Sequence, residues 1–412
     1  MTQSELNPGS RAPGAHPPGD GMTPRERRAA ISLAAIFALR MLGLFLVFPV
    51  ISLHADEFAD ATPVLVGWAI GAYGLTQALF QIPFGMLSDR VGRKRVITAG
   101  LLLFAAGSAV SAQADTLTQV ALGRAIQGVG AIAAAVMALA ADLTREEQRT
   151  KAMAIIGVSI GLAFAAAQIL GPALARWVGL SGLFWFTGAL ALAGIAVLHL
   201  GVPDPEVSEF HDDAEPVPAL LGRVLSNVQL LRLDAGVLML HMVMTATFVI
   251  LPLALRDRAG LGEDRHWLFY TVVLAASVAV MVPAIVQAER HGRVRAVLVG
   301  AAMSVALGEL GLAAGHGALL GLGLALVVYF SGFNVLEATL PSLVSRLAPG
   351  RLKGTALAAY STSQYLGAFL GGPLGGFAYA RFGFAPVFVG CGLLALGWSV
   401  LAIGVRVPPR AR

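Results

Sequence analysis

Charge is scarce in this chain. Only 13% of its 412 residues are Asp, Glu, Lys or Arg, against about 25% in an ordinary soluble domain, which excludes a water-soluble globular enzyme of this length. Cysteine is all but missing: Cys391 stands alone inside the last apolar run, which excludes an intramolecular disulfide and a cysteine-based metal site. The eight histidines are scattered without metal-ligand spacing, and no G-x-x-x-x-G-K-S/T run offers a cradle for nucleotide phosphates. No clustered nucleophile, base or metal set suits a membrane-embedded enzyme. Neither enzymatic chemistry, nor a metal, nor a bound cofactor is expected.

What abounds is apolar sequence, 57% of the residues with a mean hydropathy of +0.75. Crossing a hydrocarbon core takes roughly 20 apolar residues. Runs of that length predict twelve spans, at 29–53, 63–88, 95–113, 116–140, 151–176, 181–202, 229–255, 266–288, 295–314, 317–345, 353–380 and 384–406. The first outruns a signal peptide, contains Arg40 and lacks a cleavage site, so it reads as a spanning helix. Residues 1–28, rich in Pro and Gly up to about Gly21, read as a disordered cytoplasmic N-terminus, with Met22 an alternative start. Residues 29–202 and 229–407 then form two six-helix bundles. The segment 203–228 between them reads as a cytoplasmic linker, broken by Pro203, Pro205, Pro216 and Pro218 and solvated by acids such as Asp204 and Glu206. Its end, 219–227, reads as a short amphipathic piece on the membrane surface, and 408–412 as a cytoplasmic tail.

The net charge of +5 and pI of about 9.7 arise from short basic segments between the apolar runs, so they report orientation in a bilayer rather than nucleic-acid binding. With both termini and the linker in the cytoplasm, 22 of the 29 Lys and Arg fall on that side and five outside, as the positive-inside rule requires. The loop after the first span carries Asp56, Glu57 and Asp60 and fits the exterior.

The two halves repeat each other. PFGMLSDRVGRKRVITAG from Pro83 and PAIVQAERHGRVRAVLVG from Pro283 share, at an offset of 200, the Pro, an acid, Arg, Gly, two further Arg and the closing Gly. Arg149-Thr-Lys151 and Arg351-Leu-Lys353 open the fifth and eleventh spans, which also share Gly171-Pro172 and Gly372-Pro373. Two parallel six-span halves around a central substrate site is a carrier plan.

Three motifs bear this out by resemblance. Gly85-Met-Leu-Ser-Asp89-Arg90-Val-Gly92-Arg93-Lys94 resembles motif A of the major facilitator superfamily. Arg124-Ala-Ile-Gln127-Gly-Val-Gly130 resembles its motif B. The stretch with Gly157, Gly161, Gly171 and Pro172 resembles motif C of antiporters, though Ala173, Leu174 and Ala175 replace its trailing glycines. Details such as Asp142-Leu-Thr-Arg145 and Tyr360-Ser-Thr-Ser-Gln364 are closest to YajR-type drug:proton antiporters. Some of those carry a cytosolic domain after the last helix, and a form without it is expected here. The resemblance implies an all-α membrane protein, twelve helices in two pseudo-symmetric halves. It implies an inner-membrane exporter of small amphipathic compounds or drugs in exchange for protons by alternating access, acting as a monomer in the bilayer. It also implies that Asp89, Arg93 and Asp142 form a cytoplasmic charge cluster favouring the outward-open state. The alternative is an uncoupled or symport carrier of a sugar-like metabolite.

Charges inside the membrane cost several kcal/mol unless paired or wet, so they mark function. Arg40, Arg124, His241 and Glu337 lie mid-span on helices that line the cavity in this superfamily, and Glu337 is the expected proton carrier, with His241 second. Glu309, on the ninth span, is expected to reach the interface. The polar and aromatic residues Tyr73, Gln77, Gln81, Gln127, Asn334, Tyr360, Gln364 and Tyr365 are expected to line the substrate cavity. Small-residue ridges (Gly157 and Gly161; Gly367, Gly371 and Gly375) are expected to bring helix backbones close.

Overall fold

The computed structural model describes residues 21–205 and 217–407. The N-terminus expected to be disordered (up to residue 20), the middle of the linker and the tail 408–412 lie outside the described residues. Among those residues there is no strand, and ten helices are long and apolar enough to span a membrane. They are α1 (Pro24–Ile51), α2 (Pro63–Val91), α3 (Arg93–Ala112), α4 (Leu117–Asp142), the 56-residue Glu146–Gly201, α7 (Val228–Arg258), α8 (Glu263–Gln287), α9 (Val294–Gly315), α10 (Leu319–Leu347) and α12 (Phe384–Ile403). The 56-residue rod is two spans, α5 (146–178) and α6 (180–201), because Gly179 takes a φ of 65° and reverses the chain. The glycine-rich Lys353–Phe382, α11, is too weakly apolar to be counted by hydropathy, yet its 30 residues run alongside α2 and α7. The described residues therefore hold twelve helices of membrane-spanning length.

Helix boundaries follow local chemistry. The first helix begins at Pro24, inside the stretch expected to be disordered, because Thr23 and Glu26 form a reciprocal capping box and Pro24 suits the first turn. α4 is not continuous: Gly130, Ala131 and Ile132 interrupt it between Leu117–Val129 and Ala133–Asp142. Pseudo-symmetry shows in the backbone as well as the sequence. Gly92 and Gly292 turn the second and eighth spans into their successors, with φ of 102° and 65°, and Gly179 and Gly383 (φ 79°) do the same for the fifth and eleventh. These are left-handed conformations that a Cβ would strain.

The face bearing both described ends, and the loops after even-numbered spans, is called here the basic face. The halves meet tightly on the opposite face. Across them, a Cβ on Gly67 of α2 would lie 2.1 Å from the carbonyl oxygen of Gly372 on α11, and one on Gly376 2.1 Å from that of Pro63. Trp68 edges onto Phe369 at 5.3 Å, and Phe48 meets Phe248 at 6.4 Å. Toward the basic face the packing loosens on α8. α8 buries Tyr270, Val273 and Ser277 in its outer half but exposes Val278, Val280, Val282 and Val286 in its inner half.

Gly157 and Gly161 fall in this open part. Neither has any atom within 4 Å of an added Cβ, so the expected ridge on α5 packs against nothing in this conformation. Gly171 does pack, onto the Leu46 carbonyl, and the ridge on α11 meets α7 as expected: Gly367, Gly371 and Gly375 face Leu238, Met242 and Ala246.

Candidate functional site

The site divides between the halves. In the first half, Arg40 and Arg124 are fully buried around Tyr73, whose ring lies 5.7 Å from one guanidinium carbon and 5.3 Å from the other. Arg40 donates to Gln77 Oε1 at 2.7 Å and to the Gly130 carbonyl at 3.0 Å, an acceptor freed by the break in α4. Arg124 donates to Gln127 at 2.9 Å and to the carbonyls of Ala69 and Ile70. Tyr73 and Gln77 are linked by a hydroxyl-to-carbonyl bond, and Gln77 donates to Gln81.

Of the residues expected to line the substrate cavity, Tyr73, Gln77 and Gln127 are therefore buried against the arginines, and Gln81, also buried, accepts from Gln77. Among the described residues no carboxylate pairs with Arg40 or Arg124, and Arg40 Nε and Nη1 have no protein partner. Polar and π contacts replace a counter-ion here.

In the second half, α7, α10 and α11 converge on one carboxyl. Glu337 keeps 36% of its side chain exposed, His241 7%. Nδ1 of His241 faces the Val237 carbonyl at 3.2 Å. A carbonyl only accepts, so Nδ1 carries the hydrogen and Nε2 is left as an acceptor. The Gln364 amide fills it from 2.8 Å and donates its other hydrogen to Glu337 Oε1 at 3.2 Å. Glu337 Oε2 stands 3.8 Å from His241 Nε2 without a hydrogen-bond partner. Asn334 donates to Ser277 on α8. Tyr365 joins the halves, its ring 6.1 Å from Tyr73. Tyr360 is buried, its hydroxyl unpartnered.

Glu309 does not reach the interface. It is fully buried on α9 and accepts from Thr247 of α7 at 2.7 Å, because the register of α7 against α9 supplies a hydroxyl deep in the bundle. Asp234, also buried, escapes the sequence patterns because it lies six residues into α7, where an acid reads as interfacial. Its seven-residue spacing from His241 is the signal that places both on one helix face.

Motif A forms an ionic cluster at the basic face. Arg93 donates to Asp89, to Ser88 at 2.9 Å and to Asp142 at 3.4 Å, the Asp142 side chain being fully buried. All members belong to the first half, and the cluster stands assembled while the basic face is open. Lys94 donates to the Val202 carbonyl and pairs with Asp204 at 2.6 Å. Arg145 pairs with Glu26 at 2.9 Å, tying the 4–5 loop to the first turn of α1. Arg90 points outward, exposed, and Gly85 lies buried at the inner end of α2.

Comparison with known proteins agrees with this architecture. Residues 33–371 and 266–412 match the Major Facilitator Superfamily. The inner membrane transport protein YajR of Escherichia coli K12 is 44% identical over 388 residues, 94% of this chain and 85% of that protein. The multidrug resistance protein MdtH of Aeromonas hydrophila is 29% identical over 86% of this chain and 87% of its own. Among solved structures, a bacterial homologue of the human lysosomal transporter Spinster, in an inward-facing and occupied conformation, superposes with a TM-score of 0.73 at 14% identity, covering 93% of this chain and 97% of that one. The chain belongs to the major facilitator superfamily and is a multi-pass membrane transporter, in a family not normally enzymatic.

Proposed function

We propose that the protein is a proton-coupled exporter of small amphipathic compounds in a bacterial inner membrane, with the basic face and both termini in the cytoplasm. The observation that carries this is Glu337: a partly exposed carboxyl in the second half, bridged by the Gln364 amide to His241, whose Nε2 that same amide occupies. Substrate arriving from the cytoplasmic side perturbs the Gln364 bridge. Once that bridge yields, a proton held by Glu337 leaves, and the halves rock about the α2–α11 contact. Arg40 and Arg124 supply positive charge on the facing half, and Tyr365 lies between Arg40 and Glu337. Motif A ties α2, α3 and α4 into one rigid block that moves as a unit when the cytoplasmic side opens and closes. The 29% identical multidrug protein supports drug-like substrates. The cycle requires a monomer, protons and the bilayer, and no bound cofactor.

The test is proton flux in proteoliposomes containing a pH dye, with ethidium and xylose as probes, for wild type and Glu337→Gln. Ethidium-triggered proton movement in wild type, reduced about 100-fold in the variant, is expected for a group that carries the proton itself. Equal flux in the variant would make Glu337 structural. Transport without proton movement would replace antiport by facilitated carriage, and response to xylose alone by a sugar carrier.

A further inference from the structure

A run of aromatic rings joins the two halves beside the carboxyl site. Phe164 of α5 stacks on Phe333 of α10, ring centroids 5.8 Å apart and planes 26° apart, and lies 6.4 Å from Phe330. Phe45 of α1 backs Phe164 edge-on at 5.0 Å and meets Phe48 at 5.6 Å. Phe48 in turn faces Phe248 of α7, which lies 6.4 Å from Phe330. The rings thus form a circuit across both halves, continuous with the closed end. Phe164 and Phe333 are both buried, whereas Gly161, one turn before Phe164 on α5, has open space beside it. The stack marks where the open part ends. Phe333 also has a neighbour of another kind. The His241 ring lies 6.0 Å from it, tilted by 53°, and Glu337 is one turn further along α10. One phenyl ring therefore meets the first half on one side and the Glu337–Gln364–His241 trio on another.

We infer that Phe333 is the positioning residue through which the protonation state of that trio sets the contact between the halves, with Phe164 its partner on the first half. This rests on the proton-coupled reading above and adds how the other half senses the proton. The Gln364 amide sits 2.8 Å from His241 Nε2 and 3.2 Å from Glu337 Oε1. An ionised acceptor takes a hydrogen bond about twice as strongly as a neutral one. When the partly exposed Glu337 gives its proton to water, its carboxylate draws the amide toward Oε1 and away from His241. The imidazole, then held only through the Val237 carbonyl, is free to turn, and Phe333 loses the support that keeps it stacked on Phe164. The surrounding titratable and charged groups leave this response to the trio. α5 carries no charge between Lys151 and Arg176. Tyr329 of α10 stacks on Phe333 at 5.9 Å, Tyr270 lies on α8, and Tyr360 and Tyr365 lie on α11. Arg124 lies over Phe48 and Arg40 over Tyr73. Phenols and guanidinium groups keep their charge state around neutral pH. Glu309 of α9 is fully buried against Thr247, and Asp234 is two turns from His241 on α7.

The experiment uses purified full-length protein carrying Ser52→Cys, with the native Cys391 buried. Ser52 is one turn beyond Phe48, and its hydroxyl donates to the Phe248 carbonyl at 3.4 Å, so a thiol there reports the seam. Maleimide labelling is followed from about pH 5.5 to pH 8, across the carboxyl and imidazole range, each rate divided by that of the unfolded protein at the same pH. Labelling is expected to rise about ten-fold from the low to the high end. Phe333→Leu and Phe164→Leu should flatten that rise, while Phe333→Tyr, which keeps the ring, should retain it. A merely structural role would shift the rates equally at every pH. A rise that survives in Phe333→Leu but disappears in Glu337→Gln would overturn the role of Phe333 and leave Glu337 as the coupling site. If Phe333→Leu does not fold, Phe164→Leu on the other half decides by the same criterion. No rise in the Ser52→Cys protein, or an equal rise in Glu337→Gln, would instead overturn the coupling reading on which this rests.

Discussion

Single side chains here are chosen to hold charge in a medium that does not tolerate it. Arg93 shows the cost of removing one. Its guanidinium lies 3.4 Å from the fully buried Asp142 carboxylate, and breaking a buried pair from one side costs about 3–5 kcal/mol. Arg93→Ala should lower the thermal unfolding temperature of the purified protein sharply, and Arg93→Ala with Asp142→Asn should recover part of the loss. A double variant no more stable than the single one would show that Asp142 is held by other groups. Asp60 acts differently, at the opposite face, where it accepts from the Leu117 amide at 2.6 Å and from the Thr118 amide and hydroxyl at 3.1 and 2.7 Å. Partial desolvation pushes its carboxyl up, but the Thr118 hydroxyl and the two amides outweigh this and hold it below its ordinary value. A depressed folded value means the stabilisation is complete above the unfolded value of about 4 and is lost as pH falls through the folded one. Asp60→Ala should therefore destabilise the start of α4 at pH 6 and make no difference well below pH 3, as read from the proteolysis rate of the 1–2 loop.

At the scale of elements, glycines decide how closely helices approach. Gly67 and Gly372 bring α2 and α11 into backbone contact across the halves, each Cβ position lying 2.1 Å from the other's carbonyl oxygen. A single methyl cannot fit, so Gly67→Ala should hold the opposite face open. Ser52, 4% exposed beside this seal, reports it: Ser52→Cys should react with a maleimide about ten-fold faster on the Gly67→Ala background, as expected for a shift of about 1.4 kcal/mol between two states. Equal labelling would show that α2 and α11 separate without effect on the seal. The buried native Cys391 is a silent background.

For the whole molecule, the two ends of the cavity differ: closed where α2 meets α11, open where α5 and α8 part. A membrane-impermeant maleimide should label Gly161→Cys about ten-fold faster in inverted vesicles than in right-side-out ones, a preference of about 1.4 kcal/mol for the open basic face. The reverse ratio would mean that the opposite conformation dominates in the bilayer. Much of this was legible along the chain. The apolar runs predict the spans because lipid demands a certain length of satisfied backbone wherever the chain crosses, and the repeat at an offset of 200 follows from two halves built alike. Glu337, His241 and Arg40 stand out because charge is costly at that depth. Sequence spacing could not tell which polar groups the arginines would consume, so Gln77 and Gln127 looked like cavity residues while the fold spends them on Arg40 and Arg124. It could not show that Gly157 and Gly161 face open space, since that depends on how two rigid bundles tilt. Nor could it bring His241, Gln364 and Glu337 together: they lie on three helices, and only packing sets the register between them. Length and hydropathy along one chain determined where the crossings fall, whereas partnership between side chains far apart in sequence was decided by tertiary structure, because contact is a property of neighbouring helices.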